Sequence, residues 1–384
     1  MFVRPLGHEA YSFVRTLAVI GASYLQLPLV EKAKEMGLRV ICFAWADGAV
    51  CAEISDKFYP ISIVEKGRIL QVCQAERIDG ICTIASDVAA PTVAFVAQEM
   101  HLKGNDYLAA MRANNKYQMR KAFSKAQILC PRFAKISSLV EADFSSWLFP
   151  LIVKPCDRSG SLGVSLVRNA EELNDGIKHA LDCSFKQEAI VEEYIEGREI
   201  SVEFISFNGR HYPLAITDKV TTGSPHFVEL EHHQPAGLSS LQYEIINAET
   251  KRALDALGIT EGASHTEYRI NGNDDIYIIE LGARMGGDFI GSDLVRLSTG
   301  YDFLKGVIEV ALGEFKKPVF SKRAFSGVYF LSKETERLLP FFEHPTSVPG
   351  IIRSELMNRD LKYVHCSAER SGYIIYQSDK RVII

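Results

Sequence analysis

The sequence predicts an α/β first third and an α+β remainder. Three observations carry that reading. Short apolar runs alternate with helical patterns as far as Glu99. Beyond that point apolar runs are joined by short turns, as in hairpins. One of these hairpins, Ser264 to Asp288, delivers two acids and a guanidinium into a glycine-rich bend.

In the first third, Thr16–Ile20 is an apolar strand, followed by Gly21-Ala-Ser-Tyr-Leu-Gln-Leu-Pro28 and a helical pattern that stops at Gly37. Leu38–Phe43 and Ile78–Ile84 read as further strands, and Ser86-Asp87 precedes a helix through Glu99. Strands alternating with helices imply a parallel sheet with crossover connections. The first turn lacks a GxGxxG fingerprint, which leaves a nicotinamide-dependent oxidoreductase with little support and the second half of the chain unexplained. The strand C-termini are better suited to holding a small substrate.

In the middle of the chain, Asn114-Asn115-Lys116 opens a helix through Arg120. Phe149–Val153 is a strand closed by Lys154-Pro155. Ser159-Gly160-Ser161-Leu162-Gly163 follows as a tip of small residues, before the apolar Val164–Val167. Such a tip lets backbone N–H groups approach phosphate oxygens, although the GxxxxGK[ST] pattern is missing. Glu188–Val191 is a strand. Glu192-Glu193-Tyr194-Ile195-Glu196-Gly197-Arg198-Glu199 then turns into the strand Ile200–Ile205. That turn reads either as scaffold or as an adenine hinge with a carboxylate for the ribose. The segment from Asp218 to Pro235 has no regular period and is expected to be a substrate-facing loop carrying Glu229, His232 and His233. Leu241–Leu257 reads as a helix.

Two apolar runs around Asn271-Gly-Asn-Asp274 form the hairpin. With those four residues as the turn, Ile270 faces Asp275 and Glu267 faces Ile278, and Glu280 lies two residues further along the same face. Diagonal neighbours there are roughly 7–8 Å apart, close enough to grip Mg²⁺ between two carboxylates. Glu280 ends the run Ile-Tyr-Ile-Ile, where an unpaired acid is costly, and Arg284 or a metal supplies the pairing. Ser292–Leu312 reads as helical. The tail from Ala324 is strand-like, with turns at 345–350 and at Glu369–Gly372.

The 384 residues suggest two or three domains, and 47% apolar and 24% charged residues suffice for sizeable cores. A net charge of −5 argues against nucleic acid as partner. Eight cysteines without CxxC spacing suit a reducing, cytoplasmic setting. No run approaches the roughly 18 apolar residues of a membrane span, and residues 1–15 lack the apolar core of an export signal.

Taken together, Ile20-Gly-Ala-Ser…Pro28, Asn115-Lys116, Val153-Lys154-Pro155, Ser159–Gly163, Glu192-Glu-Tyr-Ile195…Glu199, His265-Thr-Glu267 and Glu280-Leu-Gly-Ala-Arg284-Met-Gly-Gly287 resemble, in order and spacing, the ATP-grasp superfamily. The resemblance is specifically to its carboxylate–amine ligases of the L-amino-acid-ligase and carbamoyl-phosphate-synthetase-like type. The resemblance implies a Rossmann-like N-terminal domain (1–110) and a two-lobed ATP-grasp domain (111–315). The lid lobe spans about 116–190 and the catalytic lobe about 191–315, with a small β-rich C-terminal extension at 316–384. It implies ATP with Mg²⁺ or Mn²⁺, small carboxylic acid and amine substrates, no membrane or nucleic-acid partner, and a homodimer. Residue by residue, Lys116 and Lys154 would contact the phosphates, with Ser159, Gly160, Ser161 and Gly163 as the lid over them. Glu192, Glu193 and Ile195 would meet adenine and Glu199 the ribose. Glu267 and Glu280 would bind the metal. Arg284, with Gly287, Glu229 and His232, would face the substrate, and Glu229 and His232 are candidate general bases. One position departs from the pattern. Many relatives carry Asn two residues after the second Glu as a further metal ligand, and here that residue is Gly282. The implied reaction is amide or peptide bond formation through an acyl phosphate, with release of ADP and phosphate. The alternatives are a nucleotide-binding protein without turnover and a bicarbonate-activating, carboxylase-like enzyme.

Overall fold

The computed structural model describes residues 14–138, 144–160, 162–344 and 350–384. The expected lid residue Ser161, most of the turn at 345–350 and most of the N-terminal segment therefore lie outside the described residues. Three sheets organise the chain. The first is parallel, in the order Lys57–Tyr59, Arg39–Phe43, Thr16–Ile20, Gly80–Cys82. Thr16–Ile20 is buried along its whole length, as a strand covered on both faces should be.

The second sheet is antiparallel and four-stranded: Phe133–Ile136, Ala189–Glu193, Leu151–Pro155, Ser165–Val167. Its core packs beneath helix Ala170–Cys183, which buries Leu173, Ile177 and Ala180. The third sheet has eight antiparallel strands, in the order Ile276–Gly282, Gly262–Ile270, Arg198–Phe207, Arg210–Thr221, Glu229–Gln234, Phe325–Leu331, Gly372–Ser378, Ile351–Leu356. Strands from both sides of residue 316 share it. Helix Ser240–Leu257 opens with a capping box, in which Ser239 and Gln242 each satisfy the other's backbone N–H.

Three local expectations change. First, the stretch from Asp218 to Pro235 is a hairpin and not a loop. Asp218 pairs with His233 and Lys219 with His232, while Thr222 to Phe227 form the turn. The irregular sequence pattern arises because polar residues here are buried and paired, so alternation fails as a signal. Second, Ser292–Leu312 is not one helix. Val295–Thr299 ends at Gly300, in left-handed conformation at φ +79°, and Asp302 caps a new helix, Phe303–Ala311.

Third, the Glu-bearing hairpin has a different register. Its loop runs from Asn271 to Asp275, closed by the Asn271 N–H on the Asp275 carbonyl at 3.1 Å. The Asn271 Oδ1 accepts from the N–H groups of Asn273 and Asp275, both at 2.9 Å. Ile270 therefore faces Ile276, and Tyr268 faces Ile278. A bulge at Ile279 then sets Glu267 directly opposite Glu280.

No helix among the described residues is long and apolar enough to cross a membrane. The tail strands are tied to the rest through His233, whose Nδ1 lies 2.9 Å from the Tyr376 hydroxyl and whose Nε2 lies 3.0 Å from Glu231. Burial holds its proton affinity below the ordinary imidazole range, despite Glu231. The neutral ring thus contributes stability above about pH 6.5 that is lost as pH falls further. Thermal midpoints should drop between pH 7 and pH 5 by more in the native chain than in His233→Gln. Parallel curves for the two proteins would contradict this.

Candidate active site

A cleft of about 730 Å³ lies where the three sheets meet. All the described residues expected in the site line it. Helix Lys116–Lys125 is capped by Asn115, whose side chain accepts from the Gln118 N–H at 3.0 Å. The cap fixes Lys116 at the first helical position. From there its Nζ reaches Glu280 at 2.8 Å and the Arg158 carbonyl at 2.6 Å. Burial works against this ammonium, but Glu280 and Asp87 more than offset it and raise its proton affinity.

Lys154, on the strand Leu151–Pro155, lies 2.8 Å from Glu192. Here burial prevails and its proton affinity is lowered. Glu192 is also 2.7 Å from the guanidinium of Arg120, which is wholly buried and donates to the Ile279 carbonyl at 2.5 Å. The Glu192 carboxylate is thus engaged by two cations, an employment the resemblance does not imply. Glu193 is exposed and Ile195 buried against the cleft. Ser159, Gly160 and Gly163 form one rim.

Glu199 lies 3.1 Å from Lys219 and 2.9 Å from Arg269. Lys219 is a buried hub, 2.5 Å from Glu267 and 3.6 Å from Glu229. Burial opposes its charge, but Glu267, Glu199 and Glu229 together raise its proton affinity well above the usual range. Residue-by-residue reading of the sequence assigns this lysine no role of its own; it falls within the segment from Asp218 expected to be a substrate-facing loop.

Glu267 and Glu280 stand side by side on neighbouring strands, each about a quarter exposed. Among the described residues no group of three or more His, Cys, Asp or Glu is arranged to hold a metal ion. The donor set is two hard carboxylates, each balanced by an ammonium, with the remaining positions open to other oxygens. Mg²⁺ commonly takes one or two protein carboxylates plus phosphate oxygens and waters, so these residues fit that ion.

Behind this pair lies a close-packed charged layer. Glu203, fully buried, accepts from the Gly286 N–H at 3.0 Å and contacts His265. A Cβ at Gly286 would meet both at 2.7 Å, so glycine is required there. Burial opposes the His265 charge, but Glu203 offsets it and pushes the imidazole up to about 9.

Gly282 has a similar cause. A Cβ there would lie 2.3 Å from Asp87 Oδ1. Asp87 follows the parallel strand Gly80–Cys82, and its loop is stitched to the glycine-rich bend by the Ala85 N–H on the Met285 carbonyl at 3.1 Å. Its carboxylate accepts from Arg284 Nε at 2.9 Å and Nη2 at 2.7 Å. Burial would raise the Asp87 carboxyl, but Arg284 holds it below the usual range. The space an Asn at 282 would need is filled by a carboxylate from the first sheet.

Residues 147–293 match the ATP-grasp domain family. This chain carries an ATP-grasp domain. Alanine–anticapsin ligase of Bacillus subtilis (strain 168) is 29% identical over 246 residues, 57% of this chain and 51% of that protein. D-alanine–D-alanine ligase of Trichlorobacter lovleyi is 26% identical over 194 residues, 48% of this chain and 59% of that protein. The chain thus spans about half the length of these curated relatives. Among solved structures, an L-amino acid ligase from Bacillus licheniformis superimposes with a TM-score of 0.78 at 24% identity, over 95% of this chain and 94% of that one. The matched ATP-grasp segment contains Lys154, Glu192, Lys219, Glu267, Glu280 and Arg284, whereas Lys116 and Asp87 reach the cleft from outside it.

Removing Asp87 leaves the Arg284 guanidinium buried without its counter-charge. Asp87→Ala should therefore lose about 3–5 kcal/mol in urea unfolding, and Asp87→Asn less. An unchanged midpoint for Asp87→Ala would show that the pair is not structurally required.

Proposed function

We propose that the chain is an ATP-dependent carboxylate–amine ligase that joins a small carboxylic acid, such as an amino acid, to an amine through an acyl phosphate. One observation carries this reading: Glu267 and Glu280 face each other in the cleft that also holds Lys116, Lys154 and Arg284. The ligase names of the relatives agree with it.

Lys116 and Lys154 hold the triphosphate, and Ser159, Gly160 and Gly163 border it. Glu267 and Glu280 would hold Mg²⁺, which supplies positive charge against the phosphate oxygens. The substrate carboxylate oxygen attacks the γ-phosphorus, the bond to the bridging oxygen breaks, and ADP leaves. Such a transfer relies on positioning and charge stabilisation. The amine then attacks the acyl carbon, loses its proton to a base, and expels phosphate. Asp87 engages Nε and Nη2 of Arg284, while Nη1 makes a long contact of 3.4 Å to the Met285 carbonyl. That nitrogen is the donor offered to the oxyanion of the tetrahedral intermediate. The cleft must exclude water, because an exposed acyl phosphate hydrolyses.

Lys116 and Lys219 also rationalise why Glu280 and Glu267 are tolerated before ligands bind. Each carboxylate has an ammonium within 2.8 Å. Phosphate oxygens and a divalent cation, when bound, would exchange partners with these pairs and leave the lysines and glutamates compensated.

Incubation with ATP, Mg²⁺ and paired amino acids should release ADP and phosphate in step with amide formation. AMP and pyrophosphate in their place would reject the acyl-phosphate route. Glu280→Gln should reduce turnover by at least about 10²-fold, and an unimpaired variant would remove the metal assignment.

A further inference from the structure

The substrate end of the cleft is completed by residues far apart in sequence. Asp288 leaves the glycine-rich bend in left-handed conformation at φ +50°, followed by Phe289 at φ +66°. Arg370, from the tail, is 8% exposed and lies face-on to Phe330, 3.7 Å from the ring centre. It donates to Asp288 Oδ2 at 2.9 Å and Oδ1 at 2.7 Å. It also donates to the Ser367 carbonyl at 2.9 Å and the Glu229 carbonyl at 3.4 Å.

His232 lies beneath this pair. It lines the cleft with no exposed surface, and neither ring nitrogen has a hydrogen-bond partner. Its Nε2 is 3.9 Å from Asp288 Oδ2, too far for a hydrogen bond. Buried imidazole nitrogens without partners are uncommon and costly, so a ligand group that supplies one is favoured.

The donor count decides which group that is. A guanidinium has five N–H bonds, and Arg370 has committed four. It has little left for an anion. Each Asp288 oxygen accepts one of those bonds and keeps acceptor capacity. His232 adds at most one further acceptor, its other ring nitrogen being a donor. Glu229 stands on the same wall, with Ser367 Oγ donating to it at 3.2 Å. The wall therefore offers acceptors.

Resting on the ligase reading above, we infer that Asp288, clamped by Arg370, and His232 form a specificity subsite for a substrate bearing an ammonium or guanidinium side chain. Arg370 orients the carboxylate, Asp288 reads the cation, and His232 takes a further N–H. An apolar side chain of equal length brings no N–H group to the acceptor capacity that Asp288 keeps or to the unpartnered His232, which disfavours it.

L-Lysine and L-norleucine differ by the terminal ammonium alone and make a matched pair of probes. Each is dialysed to equilibrium against the full chain with Mg²⁺ and a non-hydrolysable ATP analogue. Lysine should be retained at least about tenfold more tightly than norleucine, since a site built for N–H donors rejects the analogue lacking them. In Asp288→Asn, and in Asp288→Asn with Arg370→Gln, the ratio should fall to within about threefold. The double variant removes both charges together, so an unpaired guanidinium does not obscure the result. Melting curves confirm that the variants compared are folded. Lysine methyl ester and Nα-acetyl-lysine, dialysed in the same way, show whether the cation rides on the amine or on the acid substrate. Norleucine bound as tightly as lysine by the native chain, tighter binding of glutamate, or an undiminished ratio in the folded variants would overturn the subsite. Phosphate release is followed in parallel. Its absence with every substrate pair would sink the ligase reading, while the dialysis ratio would still decide the subsite.

Discussion

The cleft depends on matching each carboxylate with a cation brought from another part of the chain. Glu280 is matched by Lys116, Glu267 by Lys219, Glu192 by Arg120 and Lys154, Asp87 by Arg284, and Asp288 by Arg370. A single uncompensated charge at such depth costs several kcal/mol, a large share of the stability of an ordinary domain. These pairs therefore act as fold constraints as well as chemical groups. They tie the parallel sheet, the small antiparallel sheet, the eight-stranded sheet and the tail to one point. The balance also sets how the site can respond to a ligand. A polyanion with a divalent cation can exchange partners with ion pairs already in place, without first exposing bare charge to a dry interior.

Much of this was legible in the sequence because local patterns and local structure agree. The strands Thr16–Ile20 and Leu151–Pro155 and the Asn115 cap follow from apolar runs and cap chemistry confined to a few residues. The Glu267–Glu280 pair was legible as a pair but not in its register. The turn is one residue longer than its Asn-Gly-Asn-Asp core suggests. A bulge follows at Ile279, and next to it the Ile278 N–H is spent on the Leu129 carbonyl at 2.9 Å, a partner far away in sequence. Nothing in the hairpin's own residues specifies that contact.

What the sequence concealed has a common physical form. Asp87 and Arg370 sit outside any motif. Each matters through one long-range ion pair, 197 residues from Arg284 in the first case and 82 from Asp288 in the second. The strand setting of Lys219 and His232 was hidden for a different reason. They lie on adjacent strands that bury polar side chains, so the alternation that normally marks a strand is absent. Gly282 looked like a lost metal ligand. The packing gives a positive reason for it, because the Asp87 carboxylate occupies the space a side chain would need.

The eight-stranded sheet explains why the tail takes part at all. Glu229–Gln234 pairs on one edge with Arg210–Thr221, which carries Lys219, and on the other with Phe325–Leu331. Phe325–Leu331 in turn pairs with Gly372–Ser378, directly after Arg370. One continuous ladder therefore fixes the distance between the lysine that serves Glu267 and the arginine that serves Asp288. Rigid strands hold side chains more accurately than loops do, which suits a cleft whose two ends must read different ligands. On the proposed reading, the phosphate end is built from residues on the small sheet and a helix N-terminus, and the substrate end from the bend after Glu280 and the tail. Changes at Asp288 and Arg370 would then retune which molecule is accepted while the groups around Lys116 and Lys154 remain as they are, because the two ends share a support but no side chains.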